Sequence, residues 1–294
     1  DTVMTGQERR ADVNDTPMMT LPDGPIDIRL IASDMDGTLL DGNSKLPDEF
    51  WPLMHELAVR DIAFVPASGR QLATLDTMFS GTDAGHSYIA ENGSIVTFHG
   101  QVVSTTCIDM PTVNEMIDVT RRVSSDGSYN LGLVVCGQNS AYVERTDAEF
   151  YAEAHKYYAQ LEVVDDLKQA AAHDNVLKLA TYDFTDISAF VDDQVPHLRQ
   201  SHQVAESSRH WVDMMNPVAN KGRGLTALQE SLGIGPEHTV VFGDFLNDLE
   251  LFDHADYSYA MANAHPDVTA RARYRAPSNI DHGVMTVVRA LLAL

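Results

Sequence analysis

Cysteine is nearly absent from this chain, with only Cys107 and Cys136 in 294 residues. They form no Cys-x-x-Cys pair and no cluster at metal-ligand spacing, which excludes a disulfide scaffold and points to two free thiols in a reducing compartment. Positive charge is also scarce: 20 Lys and Arg stand against 43 Asp and Glu, a formal net charge of −23. Such a surface repels nucleic-acid phosphates and anionic lipid, so neither nucleic acid nor a membrane is expected as a partner. Any site for an anionic ligand must then bring its own cation. Long apolar runs are missing too, and none reaches membrane-spanning length. Residues 1–25 are polar, rich in Pro, Gly, Asp and Thr, and lack the apolar stretch of a secretory signal. The first residue is not Met, so this segment is expected to be a disordered tail, partly left from an engineered start. The expected location is the cytoplasm.

What remains is ordinary for a globular protein, at 44% apolar and 21% charged residues, and long enough for one large domain or two ordinary ones. From Ile26 the chain alternates short apolar runs with helical patterns. Ile26–Ser33 reads as a strand buried on both faces, and "IAFVPASGR" (Ile62–Arg70) as a second that Pro66 brings to an end. The pattern then changes. "NLGLVVCGQNSAYVER" (Asn130–Arg145) reads as two strands joined by a short turn, with helices on either side and further strands near Val176–Tyr182 and His210–Met215. After Asn216 the alternation returns, with a helix over about Lys221–Leu232 and the strand "HTVVFGD" (His238–Asp244). The expected fold class is therefore α/β: a doubly wound, Rossmann-like parallel-sheet core made of 26–94 and 207–294, interrupted by an inserted α+β domain over 95–206.

In such a sheet ligands sit at the carboxyl ends of the strands, and four signals fall there in order. They are Asp34-Met35-Asp36-Gly37-Thr38, Ser68-Gly69-Arg70, Lys221-Gly222 at a helix start, and Gly243-Asp244 followed by Asn247-Asp248. Each alone reads as a solvated turn or a surface lysine; together, each where a strand should end, they suit one chemistry. Asp34, Asp36 and Asp244 would bring several negative charges into one crevice, where hard oxygen ligands suit Mg²⁺. Lys221, the Ser68 hydroxyl and the Gly69 amide could hold phosphate oxygens. No His or Cys belongs to the set, which disfavours zinc, and no GxxxxGK[ST] loop is present. The close pair divides the work: Asp34, closing the strand, attacks phosphorus. Asp36, its proton retained by the negative charge around it, serves the leaving alcohol and then the hydrolytic water.

These motifs, "DMDGT", "ASGR", "NKG" and "GDFLND", resemble those of the haloacid dehalogenase superfamily of aspartyl-phosphate phosphatases, over about Ile28 to the C-terminus. "AENGS" and "MANAHPDV" look like its Cof-type subgroup, phosphatases of sugar phosphates and related small metabolites with a large cap between the second and third motifs. The resemblance implies Asp34 as nucleophile and Mg²⁺ ligand, and Asp36 as general acid/base that binds the metal through its main-chain carbonyl. Asp244 would be the third protein ligand. Ser68, Gly69, Lys221 and Asn247 would grip phosphate, with the Met35 amide contributing. Thr38, Arg70 and Asp248 would support them, Asp248 through Lys221 or the metal's outer shell. The implied partner is a small phosphorylated metabolite, a sugar phosphate or a phosphorylated cofactor such as pyridoxal phosphate or flavin mononucleotide, and the protein a monomer or small homo-oligomer. Phe245 stands where a small polar residue is common, on the leaving-group side.

Two other readings compete. A phosphomannomutase-type mutase needs a second phosphate site in the cap, whereas Arg121 and Arg122 are adjacent and Arg145 and Arg199 isolated. A non-enzymatic metabolite sensor could dispense with Asp36, yet both aspartates and Lys221 are present. Specificity is expected from the cap, with the hairpin near Gly137–Ser140 and the loop around Asn175 as candidates. The aromatics of "EFYAEAHKYY" (Glu149–Tyr158) read as helix packing rather than a stacking platform.

Overall fold

The computed structural model describes residues 19–294. At its centre lies a five-stranded sheet in the order Tyr274–Ala276, Tyr257–Met261, Thr239–Gly243, Leu30–Ser33, Ala63–Pro66. Every neighbouring pair is parallel. Tyr88–Ala90 runs on beside the last strand, where Ala67 bridges to Ile89 and the Ser68 amide donates to the Ile89 carbonyl at 2.8 Å.

The strands read as apolar runs because both faces are covered. Alternation along Leu30–Ser33 sends Ile31 to one side, where it meets Phe64, Phe242, Leu53 and Val284. Leu30 and Ala32 go to the other, among Val65, Val241, Leu225 and Leu251. Helices Phe50–Val59, Leu72–Phe79 and Gly283–Leu291 cover the first face; Lys221–Leu232, Leu249–Phe252 and Pro266–Arg271 cover the second. Leu30–Ser33 lies between Thr239–Gly243 and Ala63–Pro66. That order sets Asp34, Asp244 and Ser68 beside one another at the carboxyl edge, where the winding changes direction.

A second, six-stranded sheet has the order Gln203–Glu206, Trp211–Met215, Val176–Asp183, Leu131–Gly137, Ala141–Val143, Leu161–Val163. It is antiparallel except for its last pair. Helices Met110–Ser125, Leu167–Ala172 and Ile187–Gln194 fill one face with Met116, Ile117, Leu167 and Phe190. The other carries Cys136, Ala180 and Trp211 with Phe150 and Ala154 of the helix Ala148–His155. Lys178 reaches from that face to the core, its ammonium donating to the Gly69 carbonyl at 3.2 Å.

Strand membership departs from the expected division at 94/95 and 206/207. Ile95–Phe98 and Gln101–Thr105 form a three-stranded antiparallel sheet with Tyr88–Ala90, and Val96 packs with Leu225 and Leu228 of the core. Trp211–Met215 belongs to the six-stranded sheet. Alternation identifies a strand but not the sheet it joins. The expected tail also needs correction. Residues 1–18 lie outside the described residues, but Thr20 is docked: its amide donates to the Arg275 carbonyl at 2.9 Å, and its hydroxyl accepts from the Arg275 amide at 2.8 Å. Met19 packs against the core beside it. The edge strand Tyr274–Ala276 offers unpaired backbone groups, which is what draws the segment in. Among the described residues no helix is long and apolar enough to cross a membrane, and Cys107 and Cys136 are free thiols.

Candidate active site

The strand Leu30–Ser33 ends at Asp34, whose amide donates to the Phe242 carbonyl at 3.1 Å. The chain then folds into a tight turn over Met35–Leu39, with the Leu40 amide on the Met35 carbonyl at 2.9 Å and Gly37 at φ +75°. Met35 is wholly buried in the core, which leaves only its backbone to a ligand. Asn263 donates to the Gly37 carbonyl at 2.8 Å and steadies the turn. Thr38, also buried, donates to Asp244 Oδ1 at 2.9 Å and lies 3.4 Å from Asp34 Oδ2.

Lys221 opens the helix Lys221–Leu232, capped by Asn220, whose side chain accepts from the Arg223 amide at 2.8 Å. Its ammonium is fully buried and donates to Asp34 Oδ1 at 2.7 Å and Asp248 Oδ1 at 2.8 Å. The other Asp248 oxygen accepts from the Asp244 and Phe245 amides at 3.0 and 3.2 Å. Burial pushes the Asp34 carboxyl up to about 6 against the opposing pull of Lys221. Burial, then the negative charge of Asp34, lifts Asp248 to about 6 as well, and burial raises Asp244. Lys221 is held above its ordinary range, because Asp248 and Asp34 outweigh the desolvation that works against its charge. One lysine does not balance three carboxylates.

Asp34, Asp244 and Asp248 each place an oxygen within 4.8 Å of the others. Asp248 is fully engaged, so Asp34 and Asp244 are the carboxylates left to hold a cation. Gly37 keeps them in place: a Cβ there would meet Asp244 Oδ2 at 2.3 Å. An all-oxygen set with surplus negative charge fits a hard divalent ion.

The Asp36 carboxylate is not part of this cluster. Its side chain is 62% exposed, and both oxygens accept from Arg70 at 3.0 Å. The negative crowding expected at Asp36 falls instead on Asp34 and Asp248, because Asp36 turns outward towards a guanidinium. Ser68 is buried beside Asp34, its hydroxyl accepting from the Arg70 amide at 3.0 Å. Gly69 lies against Asn92, whose side-chain atoms a Cβ would meet at 3.3 Å. Asn247 donates to Asn92 at 3.4 Å. Asn92 and Asn263 were not identified from sequence, although "AENGS" and "MANAHPDV" contain them. The Asn-Gly pair reads as a turn, and here it also interlocks with the third motif. Gly93, at φ +94°, passes so close to the Asn220 carbonyl that a Cβ would stand 2.0 Å from it.

Asp34, Asp36, Ser68, Gly69, Arg70, Asp244 and Asn247 line one cavity of about 560 Å³. Its far wall comes from the six-stranded side of the molecule: Lys156, Tyr157, Tyr158, Ser207, Ser208 and Trp211. The hairpin at Gly137–Ser140 and the loop at Asn175 do not reach it. Gln138 pairs with Asn175 at 3.0 Å, Asn139 with Asp174, and both line a separate, smaller cavity or its rim. Tyr158 and Phe150 are packed inside as expected, but Tyr157 is 53% exposed at the cavity. Sequence spacing does not separate these neighbours, because the helix ends at His155 and the chain beyond it no longer keeps the helical period.

Comparison with known proteins converges on one family. The family model for haloacid dehalogenase-like hydrolases matches residues 31–288. The chain is 31% identical to the 5-amino-6-(5-phospho-D-ribitylamino)uracil phosphatase YbjI of Escherichia coli, over 90% of this chain and 96% of the relative. It is 26% identical to the HMP-PP phosphatase of Cronobacter sakazakii, over 82% and 87%. A haloacid dehalogenase-like hydrolase from Bacteroides thetaiotaomicron shares the fold with a TM-score of 0.76 at 19% identity, over 90% of this chain and 99% of that one. With its motifs gathered on one sheet edge, the chain belongs to the haloacid dehalogenase-like hydrolases, among their phosphatases.

Proposed function

We propose that the protein hydrolyses the phosphomonoester of a small metabolite, with Mg²⁺ bound, by way of a phosphorylated Asp34. The observation that carries this reading is a buried Asp34 at the cavity floor with one oxygen fixed by Lys221. Asp34, Asp244 and the Asp36 main-chain carbonyl would hold the cation, which lowers the repulsion between the carboxylates and the incoming phosphate. The Asp34 oxygen not held by Lys221 attacks phosphorus, and the ester oxygen leaves as an alcohol with a proton from Asp36, which for that role must leave Arg70 and turn to the ester oxygen. Water then attacks the acyl phosphate, Asp36 takes its proton, and inorganic phosphate and the Asp34 carboxylate are restored. Ser68, the Gly69 and Met35 amides, Asn247 and Lys221 grip the phosphoryl oxygens, while Asp248 fixes Lys221. Strand membership supports a cap over 106–215. The relatives named for a ribityl phosphate and for HMP-PP support a small metabolite as substrate.

A mutase is less well supported. Arg121 is held by Glu144 and Asp166, Arg145 by Asp147, and Arg199 by Asp192 and Glu206. None of them lines the catalytic cavity. A phosphate-release screen over phosphorylated metabolites tests the proposal, with Mg²⁺, with a chelator, and with Asp34→Asn beside the wild type. Release that is lost with the chelator and lowered about 10⁴-fold or more by Asp34→Asn is expected. Activity surviving Asp34→Asn would overturn the mechanism, and no release from any ester would favour the sensor.

A further inference from the structure

Among the described residues only three Phe, Tyr or Trp side chains are exposed: Trp51, Tyr157 and Phe245. Two of the three, Tyr157 at 53% and Phe245 at 55%, line the catalytic cavity, one from each side. Tyr157 stands edge-on to Trp211, ring centres 5.8 Å apart at 77°, and Trp211 is backed by Tyr182 at 5.0 Å. The ring is not a loose surface group, because its backbone is fastened to the core. Thr74 donates to the Tyr157 carbonyl at 3.1 Å and accepts from the Ala159 amide at 3.2 Å. Gln71 donates to the Gln160 carbonyl at 2.8 Å and accepts from the Gln160 amide at 3.1 Å. Gln71 directly follows Arg70 in the chain. The segment that touches phosphate and the segment that presents Tyr157 are thus held in one register.

The chemistry of this wall is selective. Its cation, Lys156, is paired with Glu153 at 2.6 Å, and what otherwise faces the cavity is aromatic surface with the hydroxyls of Ser207 and Ser208. Such a wall suits a flat, uncharged ring with polar edges better than a second phosphate or a polyol. A volume of about 560 Å³ accommodates a phosphate and one such ring system.

We propose that Tyr157, braced by Trp211, is the platform for a planar aromatic ring in the leaving group. The preferred substrates are then phosphomonoesters of alcohols that carry a flat heteroaromatic ring. This rests on the phosphatase reading above. The test measures phosphate release from pyridoxal 5′-phosphate and flavin mononucleotide, and from glucose 6-phosphate and glycerol 3-phosphate, for the wild type, Tyr157→Ala and Tyr157→Phe. The wild type should prefer the flat-ring esters. Tyr157→Ala should lower kcat/KM for them about tenfold or more, chiefly through KM. Tyr157→Phe should restore it, and the esters without an aromatic ring should be indifferent to both changes. An equal loss on all four esters, or no loss on the flat ones, would overturn the platform while leaving the phosphatase intact. A wild type that releases phosphate from none of the four, but from other esters in the wider screen, would overturn the platform alone; release from no ester at all would overturn both.

Discussion

Gly37 is the residue where backbone freedom and chemistry meet. Its φ of +75° is costly for any side chain, and the space a Cβ would need is occupied by the Asp244 carboxylate. Gly37→Ala is expected to lower stability by about 1–2 kcal/mol and to weaken metal binding by displacing Asp244, as read from the urea midpoint and a Mg²⁺ titration. An unchanged Mg²⁺ affinity would show that Asp244 does not hold the ion. Lys221 makes the complementary case. Lys221→Met leaves Asp34 and Asp248 facing each other in a buried site with no cation between them. A loss of about 3 kcal/mol or more is expected at neutral pH, measured by urea unfolding. The buried Lys178 is also ion-paired, with Asp213 at 3.4 Å and Glu91 at 3.8 Å. Burial raises the Glu91 carboxyl against the pull of Lys178, while Asp213 and Glu91 together outweigh the desolvation of the lysine.

At the scale of elements, the start of the helix Leu72–Phe79 does two jobs, continuing from the proposed phosphate loop and holding the chain at 157–160. Replacing both Gln71 and Thr74 by Ala removes four side chain–backbone hydrogen bonds. Amide exchange at Tyr157–Gln160 should then accelerate while the Leu30–Ser33 amides stay protected; equal protection in the two proteins would show that other contacts hold the segment. A second prediction concerns pH. Arg199 first, and the Ser188 hydroxyl next, hold the Glu206 carboxyl below its ordinary 4.5. A carboxyl depressed by folding contributes stability above its unfolded value and loses it as pH falls through the folded one. The Tm difference between wild type and Glu206→Gln should therefore be present at pH 6–7 and fade below about 4.5; with both partners a third exposed, it will be small.

The strand ends of the core were legible because strands buried on both faces read as bounded apolar runs, and because Asp34, Ser68, Lys221 and Asp244 each sit where such a run or a helix meets a turn. Gln71, Thr74 and Lys178 were not legible. Their partners are backbone atoms 89, 83 and 109 residues away, and nothing in the local pattern marks a side chain that will seek one. That Ile95–Phe98 and Gln101–Thr105 pack on the core was not legible either, since the helix that covers them begins only at Lys221.

For the whole molecule the excess of acid matters most. A chain of net charge −23 repels itself at low ionic strength, so added salt of any kind should raise Tm somewhat. Mg²⁺ should raise it further than NaCl of equal ionic strength, by the equivalent of about 2.7 kcal/mol at a hundredfold excess over Kd. Asp244→Asn should abolish the difference between the two salts, and a variant that keeps it would relocate the ion. The docking of Thr20 on Arg275 has a practical side. Tyr274–Ala276 is the last strand of the core sheet, and on its outer edge the Arg275 amide and carbonyl are taken up by Thr20. A version shortened to begin at Asp23 would leave that ribbon bare, ready to template strand-to-strand polymerisation. In the intact chain Thr20 takes up the Arg275 backbone groups that such a contact between molecules would need.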